Sequence, residues 1–326
     1  MKNLLIIYLL FAGSIAFSNA QSYQEEEVTL SVENGNLGGI IMLPEGKKKQ
    51  KVPVVMIIQG SGPTDKDGNS AGIPGKNNSL KMLAEALAEE GIASLRFDKR
   101  GMGLSQSAGK EEQNLSFDDF VADASQWFDY LAEQKRFTKV GIAGHSQGAL
   151  IGLLVAQGKS ASAYVSIAGA SISIGETIMG QLRANPANPP AIIEEAKNIM
   201  DELQKGNKVS EIPPYFASLF RPSIQPFMSS WLKYNPQDEF KKLNIPSMIV
   251  NGTTDIQVSM DDANRLKAAK PDADLIIIDG MNHVLKDAPA ERNANIATYS
   301  NPELPLNPDF KLVITSFFKE HLITTK

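Results

Sequence analysis

Val140-Gly141-Ile142-Ala143-Gly144-His145-Ser146-Gln147-Gly148-Ala149-Leu150-Ile151 is the stretch whose reading decides the fold. Val140 to Ala143 is apolar on both faces, as a strand covered on both sides must be. Leu150 to Ala156 continues as an apolar helix, and between the two lies Gly-x-Ser-x-Gly. A serine there sits in a tight strand-to-helix turn that presents its hydroxyl, and small residues two before and two after let strand and helix approach. The field at the start of the next helix favours negative charge developing at Ser146. The pattern recurs by chance in long chains, so the flanking strand and helix give it its meaning.

Outward from this turn, strands and helices alternate. Val54 to Ile58 reads as a buried strand, and a helix follows with Ser79 as N-cap, Leu80, Leu83, Ala84 and Leu87 on one face, and Gly91 as its stop. Ile92 to Phe97 is the next strand. A second helix, capped by Ser116, carries Phe117, Phe120, Val121, Ala124, Phe128 and Leu131 at helical spacing. Tyr164 to Ala168, Ser247 to Val250 and Leu275 to Ile278 supply further strands, and Asp309 to His321 a closing helix. Val28, Leu30 and Val32, a turn at Asn34-Gly35-Asn36, and Ile40 to Leu43 make an opening hairpin. The alternation predicts an α/β fold with a mostly parallel, doubly covered sheet. It breaks over residues 171–242, where Ile192, Ile193, Ala196, Ile199, Met200 and Leu203 mark a helix and prolines cut the rest into short pieces. This insertion is expected to be a helical cap on a core formed by residues 21–170 and 243–326.

The 326 residues contain no cysteine and three histidines, with 32 basic against 37 acidic side chains and a formal net charge of -5. A thiol nucleophile, a disulfide and a thiolate metal site are thereby excluded. The acidic balance argues against nucleic acid as a partner. A serine nucleophile needs a base, and only His145, His283 and His321 exist. His145, adjacent to Ser146 in a sharp turn, is expected to point away, and His321 falls late in a terminal helix. His283 follows the strand Leu275 to Ile278, at the strand end where sites collect in open α/β sheets. The carboxylate that orients it is expected after the preceding strand, and Asp255 fits. Asp279 is the second choice, while Asp261 and Asp262 more naturally open the next helix. For the oxyanion, one donor is the Gln147 N–H, and the other is expected in Gln59-Gly60-Ser61-Gly62-Pro63, with the Ser61 N–H preferred.

With these residues in place the chain resembles the α/β hydrolases. It is most similar to bacterial carboxylesterases of the serine aminopeptidase-like and prolyl-oligopeptidase-like branch. The likeness rests on residues 59–69, Asp98-Lys99-Arg100-Gly101-Met102-Gly103-Leu104-Ser105, residues 144–148, Gly252 to Val258 and Met281-Asn282-His283. It covers nearly all of the chain after residue 20. Gln59 departs from it, because many relatives carry His before the oxyanion glycine. The resemblance implies a loop braced by Asp98 and Arg100, and acyl transfer to water with Ser146, His283 and Asp255 as triad. The chain order Ser146, Asp255, His283 is that of this fold.

Other readings weigh less. Asp65-Lys66-Asp67-Gly68-Asn69 starts like a calcium loop, but the glycine comes too early and Lys76 stands where the closing Glu belongs. Gly101-Met102-Gly103 lacks the third glycine of a dinucleotide site, having Gln106 instead. No cofactor and no metal are expected. Tyr215, Phe216, Phe220, Phe227, Trp231 and Tyr234 gather aromatic surface in the cap, and Phe220, Phe227 and Trp231 are the expected substrate contacts. At the N-terminus Lys2, an apolar stretch from Leu4 to Phe17, and Ser18-Asn19-Ala20 read as a signal peptide over 1–20. The expectation is an exported protein, periplasmic or secreted, without a membrane anchor after cleavage, hydrolysing a small-molecule ester. A peptidase of the same fold and a non-catalytic binding module are the rival readings.

Overall fold

A computed structural model of the chain describes residues 23–46 and 50–323. The expected signal peptide lies outside the described residues. No helix among those described is long and apolar enough to cross a membrane.

Eight strands form one sheet: β1 (Tyr23–Val32), β2 (Gly35–Pro44), β3 (Val52–Ile58), β4 (Ala93–Phe97), β5 (Phe137–His145), β6 (Ala163–Ile167), β7 (Ser247–Gly252) and β8 (Asp274–Ile278). Their spatial order is β1-β2-β4-β3-β5-β6-β7-β8. β1 and β2 pair antiparallel, as do β2 and β4, and every other pair is parallel. The chain runs from β3 outward to β4, then returns past β3 to β5. The order therefore reverses between β3 and β5, and the crevice at the carboxyl ends of these two strands is where such sheets bind ligands.

The helices are α1 (Ser79–Glu89), α2 (Phe117–Glu133), α3 (Gln147–Gly158), α4 (Ile174–Ala184), α5 (Pro190–Gln204), α6 (Ala217–Phe220), α7 (Gln225–Trp231), α8 (Pro236–Lys241), α9 (Met260–Ala269), α10 (Arg292–Ala297) and α11 (Pro308–Leu322). β3 shows why the sheet is covered twice. Val54, Met56 and Ile58 pack with Trp127, Phe128 and Leu131 of α2 and Leu153 of α3 on one face. Val55 and Ile57 alternate to the other face, against Leu83 and Leu87 of α1 and Phe310, Ile314 and Phe318 of α11. Burying one such side chain stabilises by about 1.5–3 kcal/mol, so this strand alone anchors both layers.

α4 to α8 lie between β6 and β7; α4 to α7 build a core of their own from Ile178, Met179, Ile199, Met200, Leu203, Phe216 and Phe220 among others, while Phe240 of α8 joins the main core. The insertion is tied down through the start of α2. Ser230 Oγ accepts the Phe117 N–H at 2.7 Å, and the Phe117 ring stacks on Trp231 with centroids 5.4 Å apart.

Two local expectations need correction. Ser79 is the first residue of α1, not its cap; Asn78 precedes it in the left-handed region at φ 54° and makes no side-chain cap, while the Ser79 hydroxyl donates to Asn77 instead. The hairpin turn is Glu33-Asn34, one residue earlier than expected, because Val32 pairs with Gly35. Gly35 (φ 138°) lies against the Ser107 carbonyl, where a Cβ would fall 2.2 Å from the oxygen, and this packing sets the register. Ser116, by contrast, caps α2 through a full capping box with Asp119.

Candidate active site

β5 ends at His145 and α3 begins at Gln147, leaving Ser146 as the whole turn. Its backbone stands at φ 55°, ψ -121°, which a non-glycine residue adopts only when its surroundings enforce it. The enforcement is visible. The Ser146 N–H donates to the Ile167 carbonyl at 2.9 Å and the Ser146 carbonyl accepts from Ala149 N–H at 2.9 Å. A Cβ on Gly144 would come within 2.2 Å of the Gly148 carbonyl oxygen, and one on Gly148 within 2.3 Å of the Ile58 carbonyl oxygen. Both glycines are therefore required for β5, α3 and β3 to meet.

His283 lies in the loop after β8 and Asp255 in the loop after β7. His283 Nδ1 is 2.8 Å from Asp255 Oδ2. The other carboxylate oxygen, Oδ1, accepts the Gln257 N–H at 2.8 Å and the Val258 N–H at 3.0 Å, and the side chain is wholly enclosed. An ionised carboxylate only accepts, so Nδ1 carries the proton and Nε2 is left as the basic nitrogen. Asp279 is exposed and accepts from the Thr253 hydroxyl at 2.9 Å, away from His283. Asp261 and Asp262 fall in the first turn of α9, where Asp262 completes a capping box with Ser259.

His145 points away from Ser146 and has a role that the motif did not disclose. Its Nε2 lies 2.8 Å from the His283 carbonyl oxygen, and the two rings are 4.7 Å apart. A carbonyl accepts, so Nε2 donates. Burial, followed by the neighbouring His283, pushes the His145 pKa down to about 3 and keeps the ring neutral. The residue before the serine thus ties the His283 loop to the elbow. A second tie is Asn282, whose Nδ2 donates to Thr298 Oγ1 at 2.7 Å while its Oδ1 accepts from Val284 and Lys286 N–H groups. His321 packs on Phe317 in α11, with ring centroids 4.5 Å apart.

The loop after β3 closes over the serine. A Cβ on Gly60 would sit 3.2 Å from Ser146 Cβ and 3.3 Å from His145 Nδ1, so main chain passes directly beside Ser146. Lys99 holds that loop from below. Its ammonium donates to the Gly60 carbonyl and, at 3.0 Å, to the Gly62 carbonyl, and stands 5.6 Å from the centre of the Phe120 ring. Burial lowers its pKa to about 7. Gln59 Nε2 donates to the Phe97 carbonyl at 2.9 Å, while its Oε1 is buried without a partner. Asp98 accepts Lys66 and Leu104 N–H groups, and Arg100 pairs with Asp123 on α2. Asp65 spends its carboxylate on the N–H groups of Asp67 and Asn69 and on the Asn69 amide.

Ser146 opens into a cavity of about 410 Å³ lined by Ser61, Gln147, Leu150, Ile172, Trp231 and Gln257 among others. An adjoining space of about 250 Å³ shares Ser61, Gln147 and Trp231 and adds Lys99, Phe120 and Phe227. Trp231 stands between the two chambers, and Phe227 in one. Phe220 lines neither, being fully buried in the cap's own core against Phe216. The aromatic count of the cap carried no information on which rings face inward, and Phe220 is corrected to a packing residue.

A parallel sheet with a strained serine after β5 at the switch point, an acid after β7 and a histidine after β8 is the arrangement of an α/β hydrolase. A family profile described as Serine aminopeptidase, S33, matches residues 72–213, a span that includes Ser146 but neither Asp255 nor His283. The esterase EstD of Thermotoga maritima is 27% identical over 274 residues, which are 82% of this chain and 62% of that protein. This chain therefore spans less than two thirds of the length of that relative. Among solved structures, Est1E from Butyrivibrio proteoclasticus with ferulic acid bound has a TM-score of 0.62 at 18% identity, covering 91% of this chain and 100% of that one. The Pyrococcus furiosus esterase Pf2001 has a TM-score of 0.56 at 18% identity, covering 93% and 92%. At these identities the structural likeness shows the fold.

Proposed function

We propose that this protein is a serine carboxylesterase that hydrolyses small carboxylic esters through an acyl-enzyme. The observation that carries the reading is the enclosed Asp255 carboxylate, 2.8 Å from His283 Nδ1, which sets the imidazole as a base beside a serine held in a strained turn. Ser146 Oγ attacks the ester carbonyl while His283 Nε2 takes its proton, and Asp255 stabilises the imidazolium that forms. The N–H groups of Gln147 and Ser61 receive the oxyanion. His283 returns the proton to the leaving alcohol. Water then attacks the acyl-enzyme by the same route in reverse, releasing the acid and restoring Ser146. No cofactor enters these steps. The signal peptide read at 1–20 makes the working compartment the periplasm or the exterior.

An aminopeptidase on the same triad needs a carboxylate to hold the substrate's free amine. No Asp or Glu among the described residues lines the cavity with Ser146. Glu176 caps α4, Glu195 accepts from the Tyr215 hydroxyl, and Glu202 pairs with Lys205. These placements favour esters.

Purified protein is assayed on p-nitrophenyl esters and on aminoacyl anilides. Ester turnover that falls about ten-thousand-fold in Ser146→Ala and in His283→Ala is the expected result. Unchanged turnover in either variant contradicts the mechanism, and faster anilide cleavage contradicts the substrate class.

A further inference from the structure

The walls of the cavity around Ser146 carry one charged side chain, Arg292, among apolar and neutral polar groups. It enters no ion pair among the described residues. Glu291, next to it in sequence, is committed elsewhere: its oxygens accept the Asn293 N–H at 2.9 Å and the Ala294 N–H at 2.7 Å. Asp255, on the neighbouring loop, has both oxygens occupied by His283, Gln257 and Val258. No Asp or Glu among the described residues lines this cavity beside the guanidinium.

The fold fixes the backbone from which the exposed Arg292 side chain projects. Arg292 is the first residue of α10, and Asn295 on the same short helix is fully buried. The Asn295 amide donates to the Thr254 carbonyl at 2.8 Å and to the Pro289 carbonyl at 3.0 Å, and its oxygen lies 3.3 Å from Asn282 Nδ2. Thr254 precedes the triad acid and Asn282 precedes the triad base. One buried amide thereby registers α10 against both loops of the triad.

The second chamber adds Lys99, which the Gly60 and Gly62 carbonyls hold and whose pKa burial lowers to about 7, so it supplies no fixed charge; its single acid, Glu112, is paired with Arg221 and the Ser223 hydroxyl. In a chain of net charge -5, the charge on the wall of the cavity with Ser146 is thus a guanidinium. A wholly apolar ester gains nothing from such a wall, and a free ammonium group is repelled by it.

We infer that the ester cleaved by this protein carries a carboxylate away from the scissile bond, and that Arg292 is its counter-charge. The inference rests on the esterase reading for the reaction itself, and adds the chemical class of the substrate. A guanidinium meets a carboxylate through two parallel N–H donors, a geometry that a lysine reproduces only in part.

Two matched pairs test it: p-nitrophenyl pentanoate with mono-p-nitrophenyl glutarate for a charge on the acyl side, and phenyl acetate with 4-carboxyphenyl acetate for a charge on the alcohol side. In one pair Arg292→Gln lowers kcat/KM for the charged ester about 10- to 100-fold, the size of a lost charge-assisted hydrogen bond, and leaves the neutral ester within about twofold. Arg292→Lys recovers part of the loss. A second readout needs no turnover: calorimetric titration of glutarate and 4-hydroxybenzoate into Ser146→Ala gives binding of one, abolished by adding Arg292→Gln. Charged and neutral esters that respond alike in both pairs, or acid binding indifferent to Arg292, overturn the inference. Absence of all ester turnover strikes at the esterase reading instead, and the titration then decides the counter-charge alone.

Discussion

Replacing Ser146 by glycine rather than alanine inverts the usual rule for these two residues. In most positions glycine is less stable than alanine by about 0.5–1 kcal/mol, because the unfolded chain gains freedom. Ser146 stands at φ 55°, ψ -121°, where a Cβ is strained by about 1–3 kcal/mol and glycine is not. Alanine keeps the strain and glycine relieves it, so Ser146→Gly is expected to exceed Ser146→Ala in stability by about 0–2.5 kcal/mol, the difference of those two ranges. Neither variant turns over ester. Urea denaturation of the two proteins gives the comparison directly, with slope m as the check that the unfolded state has not changed. The control is Ala122→Gly on the exposed face of α2, which should cost about 1 kcal/mol. A Ser146→Gly protein less stable than Ser146→Ala refutes the strained elbow.

Other perturbations read the supports of the site. Lys99→Met removes the ammonium from the Gly60 and Gly62 carbonyls; kcat on a neutral ester should fall about tenfold or more, within the cost of disturbing one oxyanion donor, with KM changing less. Burial depresses Lys99 to about 7 from its ordinary 10.5, so between these pH values the unfolded state binds the extra proton. Stability of the native protein relative to Lys99→Met therefore rises with pH across that window, as denaturation at pH 7, 8.5 and 10 will show. His145→Phe keeps a ring but loses the hydrogen bond to the His283 carbonyl, at a cost of about 1 kcal/mol in stability and a reduced kcat. The shape of the pH–rate profile above pH 5 should not move, because His145 titrates near 3. Gly148→Ala, whose Cβ would meet the Ile58 carbonyl oxygen at 2.3 Å, should lower stability by about 3 kcal/mol in calorimetry, the upper range for overpacking.

Much of the architecture was legible because it depends on local pattern. The apolar runs at Val54 to Ile58 and Val140 to Ala143 can be satisfied only in strands covered on both faces, and both are so covered. Scarcity pointed to a candidate base, since three histidines left His283 after position was considered. Asp255 was readable as a candidate acid because it follows a strand end, and it lies 2.8 Å from His283 Nδ1. What remained hidden depends on direction across elements. Nothing in the spacing of Asp98-Lys99-Arg100 shows that Lys99 turns under the Gly60 loop while Arg100 turns outward to Asp123 on α2. Phe220 and Trp231 are equally aromatic and lie within the same insertion, yet one fills the cap and the other lines the cavity. Arg292 and Asn295 lie on the six-residue α10, whose register comes from side-chain amides that bond to two distant loops.

Covalent labelling decides most directly whether Ser146 is the nucleophile. Incubation with a fluorophosphonate, followed by intact mass and peptide mapping, should give one adduct per chain, located on Ser146. The adduct should disappear in Ser146→Ala and form far more slowly in His283→Ala, where no base takes the serine proton. An adduct on another residue, or labelling of Ser146 at an undiminished rate without His283, contradicts the serine-hydrolase mechanism.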